Sequence, residues 1–284
     1  MKIALYYRHI DEADRPSFEA LLKNLSDRGI AVCHVADGGS VDGADFLFSI
    51  GGDGTLLSAV QFLGADGQSA ALPPILGINF GHLGFLTTAG RADLDSLVDQ
   101  LIDGRFTLEK RTLLQLSSSH SLLSTPSFVL NEVFLHRPEE SSMLRTEVYV
   151  DGLYVATYAG DGVIVATPTG STAYSLSCGG PILTPNSGSL VITPIGAHTL
   201  TLRPIIVPDS AELRLVVVPA AHHTTVASDE PFTLGLDSRR VALHGAASID
   251  IRRAPFAINL VRMGEQNFFS AMRDKLMWGT EIRP

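Results

Sequence analysis

The chain has 284 residues, of which 45% are hydrophobic and 18% are charged, and its formal net charge is -9. This composition is typical of a soluble globular protein with room for two modest domains. The acidic balance without any Lys/Arg block argues against a nucleic-acid binder, and no apolar stretch is long enough to span a bilayer. Residues 1–10 lack the features of a signal peptide, and the two cysteines have no metal or redox spacing, so we expect a cytoplasmic protein.

The first third of the chain alternates strand patterns with helix patterns. In chain order they are a strand at 3–7, a helix at 18–25, strands at 30–35 and 46–50, a helix at 56–63, a strand at 75–80 and a helix at 92–102. This alternation predicts a parallel sheet flanked by helices, which is a Rossmann-like α/β domain. Ligands of such sheets bind outside the carboxyl ends of the strands.

A glycine-rich turn, Gly51-Gly52-Asp53-Gly54-Thr55, joins the 46–50 strand to the following helix. The unpaired N–H groups of a first helical turn attract anions, and glycines let a phosphate approach the backbone closely. Because an aspartate repels phosphate, Asp53 suits a general base that accepts a proton from an attacking hydroxyl, or part of a metal–phosphate site. The alternative is that Asp53 only caps the helix through the N–H of Thr55 or Leu56.

After residue 105 short β patterns follow one another, punctuated by proline and glycine. They lie at 106–117, 128–136, 147–150, 153–158, 162–166, 190–195, 213–218, 224–227, 241–243 and 248–251. This pattern predicts an all-β, sandwich-like domain over 106–264. A helical stretch at 267–278 is expected to return to the first domain, which then comprises 1–105 and 265–284.

Two polar stretches of the β-rich part suit a nucleotide. The segment 167–181, TPTGSTAYSLSCGGP, offers hydroxyls and backbone groups for the edge of a base, and Tyr174 can stack on a flat ring. Asn131 can pair with a base edge and Glu132 can accept from sugar hydroxyls. The alternatives are a surface loop for 167–181 and an edge strand with Glu132 facing water. Asp161 lies in a tight turn before the 167–181 segment. Taken alone, it fits an ordinary turn aspartate.

These motifs, in this order and on this two-part layout, closely resemble the NAD kinase family. The resemblance covers nearly the whole chain and extends to Gly77-Ile78-Asn79, to Leu83-Gly84-Phe85-Leu86 and to residues 268–276. The glycine–aspartate turn alone is weakly specific, because related lipid kinases and 6-phosphofructokinases have a similar one. The 167–181 segment is the specific part.

The resemblance implies an enzyme that uses ATP to phosphorylate the 2′-hydroxyl of the adenosine ribose of NAD, which gives NADP. It implies Asp53 as the general base, with the phosphates of ATP near Gly51, Gly52, Gly54 and Thr55. The residues that match the NAD contacts of the family are Asp53, Gly54, Asn131, Glu132, Asp161, Thr172, Ala173, Tyr174, Ser175, Leu176 and Ser177.

The resemblance also implies cofactors and partners. A divalent metal, in most members Mg²⁺, is expected to be held largely by ATP oxygens, so no protein ligand for it is assigned. NAD and ATP are the expected partners, with no nucleic acid and no membrane. A homodimer or homotetramer formed through the β-rich part is expected.

The chain departs from the family pattern at three places. Ala159 stands where an arginine or lysine is frequent, His82 replaces a frequent arginine, and Asp237-Ser238-Arg239 replaces Asp-Gly-Gln. These differences leave the reaction intact but leave open the pyrophosphate contacts, the choice of phosphoryl donor and whether Arg239 contacts the dinucleotide.

Two other functions and one metal pair remain as alternatives. A lipid kinase would need an acyl pocket or a basic patch, and neither is evident in the sequence. A non-catalytic NAD(P) sensor would be expected to have lost the carboxylate at position 53. His222-His223 could suggest a metal pair, but consecutive strand residues point to opposite sides, so a solvated turn is preferred.

Overall fold

The computed structural model describes residues 1–35, 40–65, 72–81, 84–119, 127–218, 231–264 and 267–279. The chain forms two compact units, of which the first comprises Met1–Lys110 with Ile258–Pro284 and the second comprises Arg111–Ala257. The strands are β1 (Lys2–Tyr6), β2 (Ala31–His34), β3 (Phe46–Ile50), β4 (Ile75–Ile78), β5 (Phe106–Ser118), β6 (Ser127–Val129), β7 (Glu132–His136), β8 (Leu144–Val150), β9 (Leu153–Gly160), β10 (Gly162–Ala166), β11 (Ser189–Ile195), β12 (Ile205–Pro208), β13 (Leu213–Val217), β14 (Pro231–Leu236), β15 (Arg239–His244) and β16 (Ala247–Met263). The helices are α1 (Arg15–Asp27), α2 (Asp53–Ala65), α3 (Leu94–Ile102), α4 (Tyr174–Ser177) and α5 (Phe268–Leu276).

The first unit is built on parallel strands in the order β2-β1-β3-β4, and the last part of β16 pairs in parallel with β4. Every residue of β3 is buried, as expected for a strand of a parallel sheet whose two faces are both covered. Leu21 and Leu25 of α1 and Leu97 and Val98 of α3 belong to the same apolar core as the strands. The predicted Rossmann-like α/β domain is therefore confirmed.

The second unit contains two antiparallel sheets. One has the order β12-β11-β10-β7-β14-β15, and in the other β13 lies between the first part of β16 and β8, with β9 beyond β8. Val165 and Ile192 of the first sheet share an apolar core with Val148, Leu215 and Ile249 of the second. This arrangement confirms the predicted all-β, sandwich-like part.

Helix α5 belongs to the first unit, which confirms the predicted return of the chain end. Its start is a capping box, in which the Asn267 side chain accepts from the N–H groups of Phe269 and Ser270, and the Ser270 hydroxyl accepts from the N–H of Asn267. Among the described residues, no helix has the length and apolar character needed to cross a bilayer.

The prediction of a single strand over 128–136 is wrong, because the strand is interrupted at Leu130 and Asn131, between β6 and β7. The Asp237 carboxylate accepts from the N–H groups of Leu130 and Asn131, both at 2.8 Å, and of Glu132 at 3.1 Å. A side chain therefore takes the place of a sheet neighbour for these three N–H groups. The pattern at 248–251 is only the start of β16, and β12 and β14 were not predicted. The expected strand at 224–227, His82 and the His222-His223 pair lie outside the described residues.

Replacing Leu215 of β13 by alanine should destabilise the second unit. Leu215 is fully buried in the core shared by the two sheets, so its truncation removes apolar contacts and leaves a cavity. The free energy of unfolding, measured by urea titration with circular dichroism, should fall by about 2–5 kcal/mol. Leu153→Ala is the matched control, because Leu153 is 73% exposed, and it should change stability by less than about 0.5 kcal/mol. Equal losses in the two variants would contradict the assigned core.

Candidate functional site

The glycine-rich turn joins the end of β3 to the start of α2. Gly51 has φ +137°, and a Cβ there would lie 2.4 Å from the Thr55 hydroxyl oxygen, so only glycine fits this position. The N–H groups of Thr55 and Leu56 donate to the Gly52 carbonyl at 2.9 and 3.3 Å. Asp53 therefore does not cap α2 through these two groups, and the helix-cap alternative does not describe the structure.

The first turn of α2 has the donors that an anion site needs. Among the described residues, no protein acceptor receives the N–H groups of Gly52, Asp53 or Gly54. Gly54 is exposed, and a Cβ there would meet nothing within 4 Å. Unpaired N–H groups at the positive end of a helix dipole favour phosphate.

The Asp53 carboxylate binds backbone N–H groups that follow Gly84. Oδ2 accepts from Phe85 at 2.9 Å, and Oδ1 accepts from Leu86 at 3.2 Å and from Thr87 at 3.3 Å. A Cβ on residue 84 would lie 1.9 Å from Oδ1, so the glycine allows this close approach. The carboxylate is thus held in one orientation beside the open donors of α2.

The 167–181 segment follows β10 and contains a 3-10 turn at Gly170–Thr172 and the short helix α4. Thr167 ties it to the break between β6 and β7, because its N–H donates to the Asn131 carbonyl at 2.9 Å and its hydroxyl to the Leu130 carbonyl at 2.5 Å. A Cβ on Gly170 would lie 2.2 Å from the Asn131 carbonyl oxygen. The structure therefore brings Asn131 and this segment together.

The members of the segment that were predicted to bind NAD differ in exposure. Ser175 is fully buried and its hydroxyl lies 2.8 Å from that of Thr193, while the Thr172 hydroxyl donates to the Thr169 carbonyl at 3.2 Å. Tyr174 is partly buried, with its ring edge-on to Phe134 at a centroid distance of 5.4 Å. Ala173 and Leu176 are partly buried and Ser177 is exposed.

Glu132 and Tyr174 line a cavity of about 270 Å³ in the second unit. The remaining lining residues are Phe134, His136, Thr233, Asp237 and Arg240. Glu132 is 6% exposed, and its Oε2 and the Asn131 Oδ1 are buried without a hydrogen-bond partner in the described part of the chain. Buried polar atoms of this kind are costly, so they indicate groups that a ligand would satisfy.

Burial changes the protonation of the acids beside this cavity. Burial, together with the nearby Asp237 charge, raises the pKa of Glu132 from 4.5 to about 8. Burial raises the pKa of Asp237 from 3.8 to about 6, while the three backbone N–H groups and Arg239 act in the opposite direction. At neutral pH Glu132 is therefore mainly protonated and can donate one hydrogen bond as well as accept.

Asp161 lies between β9 and β10 and has a specific partner. The Arg137 Nε donates to its Oδ1 at 2.7 Å, and the Arg137 N–H donates to its carbonyl at 2.9 Å. Arg137, His136 and Arg240 could not be found from the sequence, because no motif contains them. Asp237 stood out only as part of a departure from the family pattern. It binds N–H groups 105 to 107 residues away, and such a contact has no local signal.

In the described part of the chain, no group of three or more His, Cys, Asp or Glu side chains could hold a metal ion. Within the described residues, the side chains therefore do not fit a metal held by protein ligands alone. They are compatible with an ion that enters bound to the oxygens of a nucleotide.

Comparison with known proteins decides the family. The ATP-NAD kinase N-terminal domain matches residues 23–106, and the ATP-NAD kinase C-terminal domain matches residues 130–262. The chain belongs to the NAD kinase family. An NAD kinase of Porphyromonas gingivalis is 37% identical over 279 residues, with 96% of this chain and 91% of that protein covered. An NAD kinase of Flavobacterium psychrophilum is 39% identical over 241 residues, with 84% and 78% covered.

Two solved structures share the fold. Yeast NADH kinase complexed with NADH has a TM-score of 0.88 and 22% identity, covering 100% of this chain and 89% of that chain. An NAD kinase of Archaeoglobus fulgidus in complex with ATP has a TM-score of 0.74 and 24% identity, covering 98% and 99%. The motifs predicted an ATP-dependent NAD kinase. The matched domains and the relatives named NAD kinase confirm this prediction.

The pKa of Glu132 predicts a pH dependence of stability. An acid whose pKa is raised on folding holds its proton more tightly in the folded state, so its stabilising contribution is complete below the unfolded pKa and is lost as pH rises through the folded pKa. Stability should therefore fall between about pH 4.5 and pH 8. The loss should amount to a few kcal/mol, because each tenfold change in proton affinity corresponds to about 1.4 kcal/mol.

Glu132→Gln removes this contribution. The free energy of unfolding of this variant, measured by urea titration at several pH values, should therefore depend less on pH. The contribution of Asp237 has the same sign and ends near its pKa of about 6, so the comparison above that pH isolates Glu132. Glu140→Gln, at an exposed position, is the control and should follow the unsubstituted protein. Parallel pH profiles for the Glu132 variant and the control would contradict the raised pKa.

Proposed function

We propose that this member of the family transfers the γ-phosphoryl group of ATP to the 2′-hydroxyl of the adenosine ribose of NAD, which gives NADP and ADP. The observation that supports this best is the Asp53 carboxylate, held by three N–H groups beside the donors of α2 that have no acceptor among the described residues. A fixed proton acceptor next to a phosphate site is what phosphoryl transfer to an alcohol needs.

Asp53 is the proposed general base. A secondary hydroxyl is a poor nucleophile at neutral pH, and a positioned base accelerates such a step by about 10²–10⁴-fold. An ionised carboxylate has about four acceptor sites, and three are used by the N–H groups of residues 85–87. One site remains for the proton of the attacking hydroxyl, while the N–H groups keep the carboxylate from rotating.

The phosphates of ATP are proposed to bind at Gly51, Gly52, Gly54 and Thr55, where the N–H groups of Gly52 and Gly54 have no acceptor among the described residues. A divalent cation bound to ATP as part of the substrate complex would neutralise phosphate charge. The acidic chain thus binds an anion with backbone dipoles at a helix start instead of a basic patch.

NAD is proposed to bind Asp53 and Gly54 in the first unit and the β-rich part through a set of residues that the family motifs match. They are Asn131, Glu132, Asp161, Thr172, Ala173, Tyr174, Ser175, Leu176 and Ser177. The partly buried Tyr174 ring and the Glu132 and Asn131 oxygens, unsatisfied within the described residues, support this assignment. In this division of labour residues 1–105 with 265–284 provide the catalytic turn, and residues 106–264 provide most of the dinucleotide contacts. We also propose that the protein is cytoplasmic and that it forms a homodimer or homotetramer through the β-rich part.

Asp53→Asn tests the base. Purified protein is incubated with NAD, ATP and Mg²⁺, and NADP is detected by an NADP-specific dehydrogenase. The variant should lower kcat by about 10²–10⁴-fold, because the amide accepts no proton, while the dissociation constant of NAD stays nearly unchanged. Asp45→Asn is the matched control, since the Asp45 carboxylate also accepts a backbone N–H, that of Lys2 at 2.7 Å. A rate in Asp53→Asn equal to that of the unsubstituted protein would refute Asp53 as the general base. If the unsubstituted protein forms no NADP, the proposed reaction itself is refuted.

Tyr174→Ala tests the dinucleotide site. Loss of the ring should weaken NAD binding by about 1–3 kcal/mol, the range for a base stacked on an aromatic side chain, and should leave ATP binding nearly unchanged. Isothermal titration with each nucleotide measures both. Tyr174→Phe keeps the ring and should bind NAD nearly as well as the unsubstituted protein. Equal losses for NAD and ATP in Tyr174→Ala would argue against stacking on the adenine of NAD.

A further inference from the structure

Arg262 of β16 lies in the interior of the first unit. Its side chain is 11% exposed, and its Nε donates to Oε2 of Glu109 on β5 at 2.5 Å, where the Glu109 side chain is 18% exposed. Because both side chains are mostly buried, the cation and the carboxylate hold each other in a fixed geometry. The position of the guanidinium group is therefore well determined.

The other nitrogens of Arg262 bind the segment that holds Asp53. Nη2 donates to the Phe85 carbonyl at 3.2 Å, and Nη1 donates to the Leu86 carbonyl at 3.4 Å and to the Thr88 hydroxyl oxygen at 3.2 Å. The Thr88 hydroxyl donates in turn to the Val261 carbonyl at 3.0 Å. Arg262 thus binds Phe85, Leu86 and Thr88 from one guanidinium group.

Two peptide groups connect the guanidinium to the Asp53 carboxylate. The Phe85 carbonyl and the Leu86 N–H belong to one peptide group, and the Leu86 carbonyl and the Thr87 N–H belong to the next. Each of these peptide groups accepts from Arg262 at its oxygen and donates to Asp53 at its nitrogen. Hydrogen bonds in such a chain polarise one another, so a cation at the oxygen strengthens the donor at the nitrogen.

We propose that Arg262 is a positioning residue for Asp53, acting through the 85–86 and 86–87 peptide groups and itself fixed by Glu109. Arg262 contacts no reacting atom in this proposal. It fixes the direction of the N–H donors and strengthens them, so that Asp53 keeps the orientation in which it accepts the proton of the attacking hydroxyl. The inference rests on the proposed function, because it concerns Asp53 as the base.

The fork shape of the arginine side chain makes these contacts possible. A guanidinium group reaches two carbonyls and a carboxylate at the same time in one plane, whereas a lysine ammonium is a point donor. Arg262→Lys therefore keeps the positive charge but loses at least one of these contacts. Arg262→Met removes the charge and all of the hydrogen bonds while retaining much of the side-chain volume.

The test compares Arg262→Met and Arg262→Lys with Arg28→Met in the full chain. Arg28 is a matched control, because it pairs with Asp99 at 2.8 Å in the same unit and its hydrogen bonds go to Asn24 and Asp99. In Arg262→Met kcat for NADP formation should fall by about 10²-fold, the effect of a misplaced catalytic group. The KM values for NAD and ATP should stay near those of the unsubstituted protein. Arg262→Lys should have an intermediate kcat, and Arg28→Met should match the unsubstituted protein.

Amide hydrogen exchange gives a readout that needs no turnover. Exchange at Leu86 and Thr87 should be faster in Arg262→Met than in the unsubstituted protein, and unchanged in Arg28→Met. An unchanged kcat, or a kcat loss matched by equal losses of nucleotide affinity and thermal stability, would overturn the proposal in favour of a structural role. If Arg262→Met does not fold, Arg262→Lys is the deciding variant. A kcat in Arg262→Lys equal to that of the unsubstituted protein would also overturn the proposal.

The outcomes separate this inference from the proposed function. An unsubstituted protein that forms no NADP would refute the proposed reaction, and a fully active Asp53→Asn would refute the base; each would remove the catalytic part of the inference. If the reaction and the Asp53 effect are both observed but Arg262→Met keeps full kcat, only the role of Arg262 is refuted.

Discussion

The hydrogen bonds between the Asp53 carboxylate and the N–H groups of Phe85, Leu86 and Thr87 are the interaction on which the proposed catalytic half of the site depends. They connect the start of α2 to the chain that follows β4. They also orient the carboxylate away from its own helix, so the first turn of α2 keeps its donors for an anion. The same chain segment is bound from its other side by Arg262, so both ends of its peptide groups are engaged.

A carboxylate that binds consecutive backbone N–H groups occurs a second time in the β-rich unit. There Asp237 accepts from Leu130, Asn131 and Glu132 and interrupts the strand pattern at the point where Thr167 also attaches. Because these N–H groups are used by a side chain, Asn131 is held in the break between β6 and β7, and Glu132 is held at the start of β7. Their buried oxygens, without partners in the described part of the chain, are typical of a binding site and not of a core.

The negative net charge of the chain does not prevent the binding of anionic ligands, because local groups supply positive potential. The formal net charge is -9, yet the start of α2 offers N–H groups without an acceptor among the described residues, and the 270 Å³ cavity is lined by Arg240. Backbone dipoles act at short range and in fixed directions, so they do not require a basic surface. Burial removes negative charge at Glu132, which stays mainly protonated at neutral pH because its pKa is raised to about 8.

Periodicity and turn residues in the sequence determined most element types and the two-part architecture, because strand and helix periods and glycine turns are local properties. The family was inferred from the resemblance of the motifs, above all of the 167–181 segment. β3 was predicted with its observed bounds, and the motif residues of the candidate site could be named in advance. Only the tertiary structure decided the partners of the key side chains. Asp53 binds N–H groups 32 to 34 residues away, and Arg262 binds carbonyls 176 and 177 residues away. No spacing along the chain encodes such contacts, since they depend on how strands and turns meet after folding.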